Sequence, residues 1–280
     1  MRKALIVYYS LHGTTRRVAQ AIGQGIAEGG YEVTLWDIIE RGAAPDYAKY
    51  SLIGIGSPVY YYQLPIPVAD YLQSLPRLEN TAVFSFLLYG TYAFDTADLL
   101  RRQIRRSGTR FAGHFQCRGA DIYQGYLKAG YLFSPHSPAE NEIADARAFG
   151  LALTGCDSEK PDMAISSAAK PGPVYRFERL ISRKWFMRTI YSRTFKAEKD
   201  RCQACGGCER ACPVHNIKVE DSRPPVWGQN CTGCLNCQMK CPELAISSFA
   251  DWPLTRLLIK HNVKAALNDP SIEYEELKPE

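Results

Sequence analysis

Eight of the ten cysteines fall into two copies of one spacing. Cys202, Cys205, Cys208 and Cys212 precede Pro213, and Cys231, Cys234, Cys237 and Cys241 precede Pro242. Each copy reads C-x-x-C-x-x-C-x-x-x-C-P, and the second follows the first at an offset of 29 residues. Three thiolates separated by two residues each lie on one tight loop and can grip three irons of a cubane. The fourth, three residues further on, points away and reaches the neighbouring cluster. One [4Fe–4S] cluster is therefore assigned to Cys202, Cys205, Cys208 and Cys241, and a second to Cys231, Cys234, Cys237 and Cys212. The prolines stop each turn from continuing as a helix and remove a backbone donor. Gly206, Gly207 and Gly233 allow backbone N–H groups close to sulfur. Zinc also uses C-x-x-C pairs, but from two separated pairs, whereas each copy here already holds four closely spaced cysteines. Disulfides would need an oxidising compartment, and nothing in the chain suggests export. His215, inside the first copy, reads as a surface residue because the four-cysteine set is complete without it.

The doubled motif resembles the two-cluster bacterial ferredoxins; iron–sulfur clusters as a class span potentials of roughly −700 to +450 mV, set in part by burial and hydrogen bonds to sulfur. The resemblance implies electron transfer. The elements that must carry such a site fit into 280 residues, a length that suggests two domains. With 46% apolar and 22% charged residues, disorder does not dominate. The net charge of +5 is unevenly spread: residues 170–201 hold ten Lys/Arg against three Asp/Glu. The basic-then-apolar start, Met1 to Tyr9, is too short for a signal peptide and leads into a Gly/Thr loop. No stretch approaches the ~20 apolar residues of a membrane span. A cytoplasmic protein is expected, and exposed clusters favour an anaerobic or microaerobic cell.

Residues 1–155 alternate apolar runs with helical patterns, which predicts a parallel sheet. Strands are expected over 3–9, 31–36, 50–56, 81–88 and 110–118, and helices over 14–29, 67–75, 96–107 and from about 137 to 154. Val18, Ala19, Ile22 and Ile26 share one face of the first helix. The loop after the first strand reads Ser10-Leu11-His12-Gly13-Thr14-Thr15. Free N–H groups at the start of a helix, with hydroxyls beside them, suit a phosphate. Plain helix capping by the same residues is the alternative. Five β/α units with this loop resemble a flavodoxin: a five-stranded doubly wound sheet of order 2-1-3-4-5 binding FMN. His12 stands where that phosphate loop has a threonine. The resemblance implies that Ser10, His12, Gly13, Thr14 and Thr15 hold the phosphate. It also implies that Ser57, Pro58, Val59, Tyr60 or Tyr61, Tyr89 and Gly90, on the next two loops, border the flavin. There is no Rossmann fingerprint, since Gly23-Gln24-Gly25 lies inside a helix. Five histidines, His12, His114, His136, His215 and His261, form no cluster with Asp/Glu that would serve a di-iron site. Cys117 and Cys156 read as buried small apolar residues.

The chain as a whole thus resembles flavodoxin–ferredoxin fusions of anaerobes. The expected organisation is an FMN domain at 1–155, a linker and basic bridge at 156–199, a two-cluster ferredoxin domain at 200–250 and a helical tail at 251–280. Within the bridge, 174–199 interleaves aromatic and aliphatic residues with Arg and Lys, a basic amphipathic helix or two. It can pack the domains together, dock an acidic redox partner, or bind a membrane surface or nucleic acid. The tail is helical over 253–267 and ends acidic, and it is expected to cap the ferredoxin or fold on the bridge. Electrons would pass between FMN, two [4Fe–4S] clusters and external redox donors and acceptors. No catalytic residue is needed. The alternative is an FMN-dependent reductase with Tyr60, Tyr61, Tyr62 and Tyr92 lining a substrate pocket. Nucleic acid is not an expected partner; a homodimer is, if one chain's clusters face the other's flavin.

Overall fold

A computed structural model describes residues 1–40, 45–78, 81–106, 108–155, 171–220 and 223–277. Cys156, nearly all of the expected linker and the last residues of the acidic tail lie outside the described residues. The chain divides into two units: Met1–Ala120 with His136–Pro171, and Asp121–Pro135 with Gly172–Glu280.

The first unit is built on β1 (Arg2–Tyr8), α1 (Thr14–Glu28), β2 (Tyr31–Asp37), β3 (Leu52–Pro58), α2 (Ile66–Ser74), β4 (Ala82–Tyr89), α3 (Thr96–Arg105) and β5 (Arg110–Arg118), and ends with α5 (Glu140–Thr154). The five strands form a parallel sheet of order β2-β1-β3-β4-β5. Continuous apolar runs make the central strands because both faces are covered. Val18, Ala19, Ile22 and Ile26 of α1 join Phe149 and Leu153 of α5 on one face, while Leu72 of α2 and Leu100 and Ile104 of α3 cover the other. The register sets Gly54 and Gly56 of β3 opposite Phe84 and Phe86 of β4. A methyl at Gly56 would lie 2.0 Å from the Phe86 ring, so the rings lie flat over β3 only because it carries no side chain there. The expected last helix begins at Glu140 rather than near 137, where Glu142 accepts from the backbone N–H of Ala139 and closes the first turn.

The second unit contains α4 (Gln124–Lys128), β6 (Tyr131–Phe133), α6 (Pro173–Ile181), α7 (Lys184–Thr189), β7 (Lys196–Ala197), α8 (Gly207–Arg210), β8 (Ile217–Lys218), β9 (Val226–Trp227), α9 (Asn236–Met239), β10 (Ile246–Ser247), α10 (Pro253–Leu267) and β11 (Tyr274–Glu276). The bridge is two helices, α6 and α7, and α6 packs on α10, where Asn262 donates to buried Glu178 at 2.9 Å. The tail thus folds on the bridge through α10, while the strand after it goes elsewhere: β11 pairs antiparallel with β6, and Tyr274 packs edge-on against Tyr131 and Phe133. Among the described residues no helix is long and apolar enough to cross a membrane.

Candidate functional site

The two cysteine copies fold alike, residue for residue at the 29-residue offset. Helix α8 is matched by α9, and each starts after a left-handed residue, Gly206 (φ 70°) or Leu235 (φ 57°). Ala204 and Gly233 form a second left-handed pair, His215 and Leu244 a third. In non-glycine residues such backbone costs about 1 kcal/mol or more. It is repeated here because it turns successive N–H groups toward sulfur. The N–H of Asn216 donates to Cys212 Sγ at 3.2 Å, and that of Ala245 to Cys241 Sγ at 3.4 Å, the same bond in both copies. The N–H of Gly233 donates to Cys231 Sγ at 3.4 Å. The strands cross between copies, with β7 of the first pairing with β10 of the second. Helices α8 and α9 are held by the amide of Asn236 donating to the carbonyl of Ala211 at 2.7 Å.

This exchange gathers the cysteines around two hollows. One is lined by Cys202, Cys205, Cys208 and Cys241. The other is lined by Cys231, Cys234, Cys237 and Cys212. Among the described residues no group of three or more His, Cys, Asp and Glu is placed to hold a single metal ion. The second hollow also takes in the walls of Phe195 and Trp227, stacked at 5.5 Å. Trp227 Nε1 and Thr232 Oγ1 are buried facing the sulfurs of Cys237 and Cys234, with no partner in the protein other than those sulfurs. Buried donors are normally satisfied, so this donor set fits an inorganic core with acceptor sulfurs.

The hollows differ in access. Cys205 is exposed and Cys202 half-buried, whereas Cys212 and Cys237 are buried. Burial pushes the Cys231 thiol up to about 12, and raises Cys234, Cys237 and, in the first hollow, Cys208. Lone thiolates are penalised there, and cationic iron removes the penalty. His215 is exposed and outside the lining of either hollow. Cys117 is buried in the sheet core, with its thiol pushed up by burial.

In the first unit, β1, β3 and β4 are neighbours, so the loops leaving their carboxyl ends meet at the point where strand order reverses. Gly13 begins α1 in left-handed backbone (φ 87°), and Ser10 Oγ accepts the N–H of Arg16 at 3.2 Å. Ser10 and Thr15 are buried, Thr14 is half-buried, and His12 and Gly13 are exposed. Tyr9 ties this loop to β3 by donating to Gly56 at 3.2 Å, and its ring meets Tyr60 edge-on. After β3, Ser57 is buried and Val59 donates to Leu88 at 2.8 Å. Tyr60 and Gln63 exchange backbone bonds at 3.0 Å around left-handed Tyr61 and Tyr62. After β4, the half-buried Tyr89 and Gly90 lead to a cluster of Tyr62, Tyr92 and Phe94. Ser10, His12, Gly13, Thr14, Thr15, Ser57, Pro58, Val59, Tyr60, Tyr61, Tyr89 and Gly90 thus belong to three adjoining loops.

Arg118, at the end of β5, was not singled out in the sequence. Its guanidinium donates to the carbonyls of Gly90 and Thr91 at 2.9 and 3.0 Å and lies over the Tyr89 ring. Its strand-end position was the available signal. Arg16 donates to buried Asp37 at 3.0 Å, where burial raises the carboxyl despite that bond.

A family model of the flavodoxin domain matches residues 5–128, and one of the 4Fe-4S dicluster domain matches 194–242. The chain is a fusion of these two domains. Flavodoxin 1 of Bacillus cereus is 18% identical, covering 56% of this chain and 99% of that one with a TM-score of 0.44. Two-electron reduced flavodoxin of Megasphaera elsdenii is 19% identical over 55% and 99%, with a TM-score of 0.43. A flavodoxin from the domain Archaea is 18% identical over 55% and 96%, also at 0.43. No curated protein matches the chain. The two domains give the fusion an electron-transfer role, with FMN the cofactor that goes with the first and iron–sulfur with the second.

Proposed function

We propose that the chain relays electrons between FMN in the first unit and two [4Fe–4S] clusters in the second, and between external redox proteins. The observation that carries this reading is the exchange of cysteines: each hollow takes three from one copy and one from the other. Cys202, Cys205, Cys208 and Cys241 would hold one cluster and Cys231, Cys234, Cys237 and Cys212 the other. FMN takes up zero, one or two electrons while each cluster takes one, so the pair joins one-electron to two-electron partners.

The protein's own part is binding and tuning. The N–H groups of Gly13, Thr14 and Thr15 and the hydroxyls of Ser10, Thr14 and Thr15 supply donors for a phosphate at the positive end of α1. His12 adds an imidazole. Ser57, Pro58 and Val59 offer backbone groups, and Tyr60, Tyr61, Tyr89 and Gly90 offer walls for a flat ring. Backbone donors from Gly233, Asn216 and Ala245 stabilise charge on Cys231, Cys212 and Cys241.

Anaerobically purified protein should contain about eight iron, about eight acid-labile sulfide and one FMN, all bleached by dithionite. Iron without flavin would refute the relay, and zinc in place of iron would refute the assignment of the cysteines.

A further inference from the structure

Thirteen large apolar side chains are exposed among the described residues, and seven sit on three helices of the second unit. On α6 they are Phe177 and Leu180. Trp185 (68% exposed) is on α7, and Ile190 directly follows it. Trp252 caps α10, which carries Leu254 and Leu257 (63% exposed). The helices form one surface. The Tyr175 ring meets His261 at 6.0 Å, and Glu178 takes the bond from Asn262. At the far end Phe186 packs on Phe249, which packs on Trp252. Thus α6 touches the second half of α10, and α7 is joined to its start through Phe249.

Charge on this surface has one sign. Residues 172–195 and 252–268 contain nine Lys/Arg and a single carboxylate, Glu178, which is buried. The cations alternate with the apolar groups rather than ringing them: Arg176 beside Phe177, Arg183 and Lys184 before Trp185, Arg256 before Leu257. A protein-docking patch has an apolar centre and a polar rim. Interleaved Arg, Lys, Leu and Trp on short helices that cannot span a bilayer instead suit the lipid interface. There apolar groups enter the acyl boundary and long cationic stems rise to the headgroups.

We infer that α6, α7 and the outer face of α10 dock the second unit on a membrane surface rich in anionic lipid. Their inner faces are engaged elsewhere: Met187 of α7 fills the space over Gly233 in the second cysteine loop, where an added Cβ would meet its thioether methyl at 2.6 Å. The helix that meets lipid outside therefore buttresses a cysteine hollow inside.

The test is co-sedimentation of the cofactor-loaded full chain with vesicles of phosphatidylcholine, alone or mixed with phosphatidylglycerol. Binding is expected to the mixed vesicles and to weaken with salt. Two double variants separate the contributions: Trp185→Ser with Leu257→Ser, and Arg183→Glu with Lys260→Glu. Each should weaken partitioning roughly tenfold or more while iron, sulfide and visible spectrum stay as in the parent. If a double variant loses iron, Leu257→Ser or Lys260→Glu alone takes its place. Absence of binding to anionic vesicles at low salt overturns the inference. So does equal binding to both vesicle types, or binding untouched by the variants. A salt-sensitive complex with a small acidic ferredoxin, or self-association through the same residues, with vesicles ignored, overturns it in favour of a protein partner.

Discussion

Glu178 ionises at a cost. It lies buried where α6 meets α10, and burial pushes its carboxyl up to about 7 from an ordinary 4.5, against the pull of the Asn262 amide. The folded protein therefore holds this proton more tightly than the unfolded chain. The contribution of Glu178 to stability is greatest at low pH and falls as pH rises from 4.5 toward 7. At about 1.4 kcal/mol per pH unit, the full loss is about 3 kcal/mol. About 2 kcal/mol of it falls between roughly pH 5.5 and 8. Glu178→Gln keeps an acceptor for Asn262 and removes the charge. Its melting temperature should gain on the parent's as pH rises over that range, the gap widening by roughly 4–8 °C. The assay is anaerobic thermal melting of both loaded proteins, followed by circular dichroism at several pH values. Any pH-independent packing change by the amide shifts both ends of the series equally. A gap that stays constant, or closes toward pH 8, would refute the reasoning.

Three further outcomes follow from the geometry. Cys241→Ser, although in the second copy, should empty the hollow built from the first copy's loop and lower iron from about eight to about four per chain; retention of all iron would show that the copies do not exchange cysteines. Gly13→Ala meets open space but must keep φ at 87°, so it should cost about 1–2 kcal/mol and weaken FMN binding, read by flavin fluorescence titration. Gly56→Ala drives a methyl into the Phe86 ring and should cost roughly 1–3 kcal/mol or more in thermal melts, part of which Phe86→Leu should restore.

Where the signal was local, the sequence was legible. The expected strand over 110–118 is β5, and the expected tail helix over 253–267 is α10. The apolar runs predicted a parallel sheet, and its order came from the resemblance of the β/α units and the first loop to a flavodoxin. The cysteine spacing identified the iron–sulfur domain because it is set by the geometry of a cubane. What escaped was non-local. Residues 121–135 are aromatic-rich without helical or strand periodicity, and their partner strand lies far along the chain. Arg118 acts through carbonyls of another loop, which no spacing announces. The left-handed backbone at Ala204, His215, Leu235 and Leu244 falls on residues that do not favour it. There tertiary demand at the sulfurs outweighs local preference.

The pairing of β6 with β11 has a consequence for the order in which the chain is made. Tyr131–Phe133 leave the ribosome long before Tyr274–Glu276, the strand that covers them. Through most of synthesis that aromatic edge stands open, and the second unit closes only once the cysteine loops between the two strands have already emerged. Cluster insertion can thus precede closure, with the last strand acting as a latch on a unit already loaded.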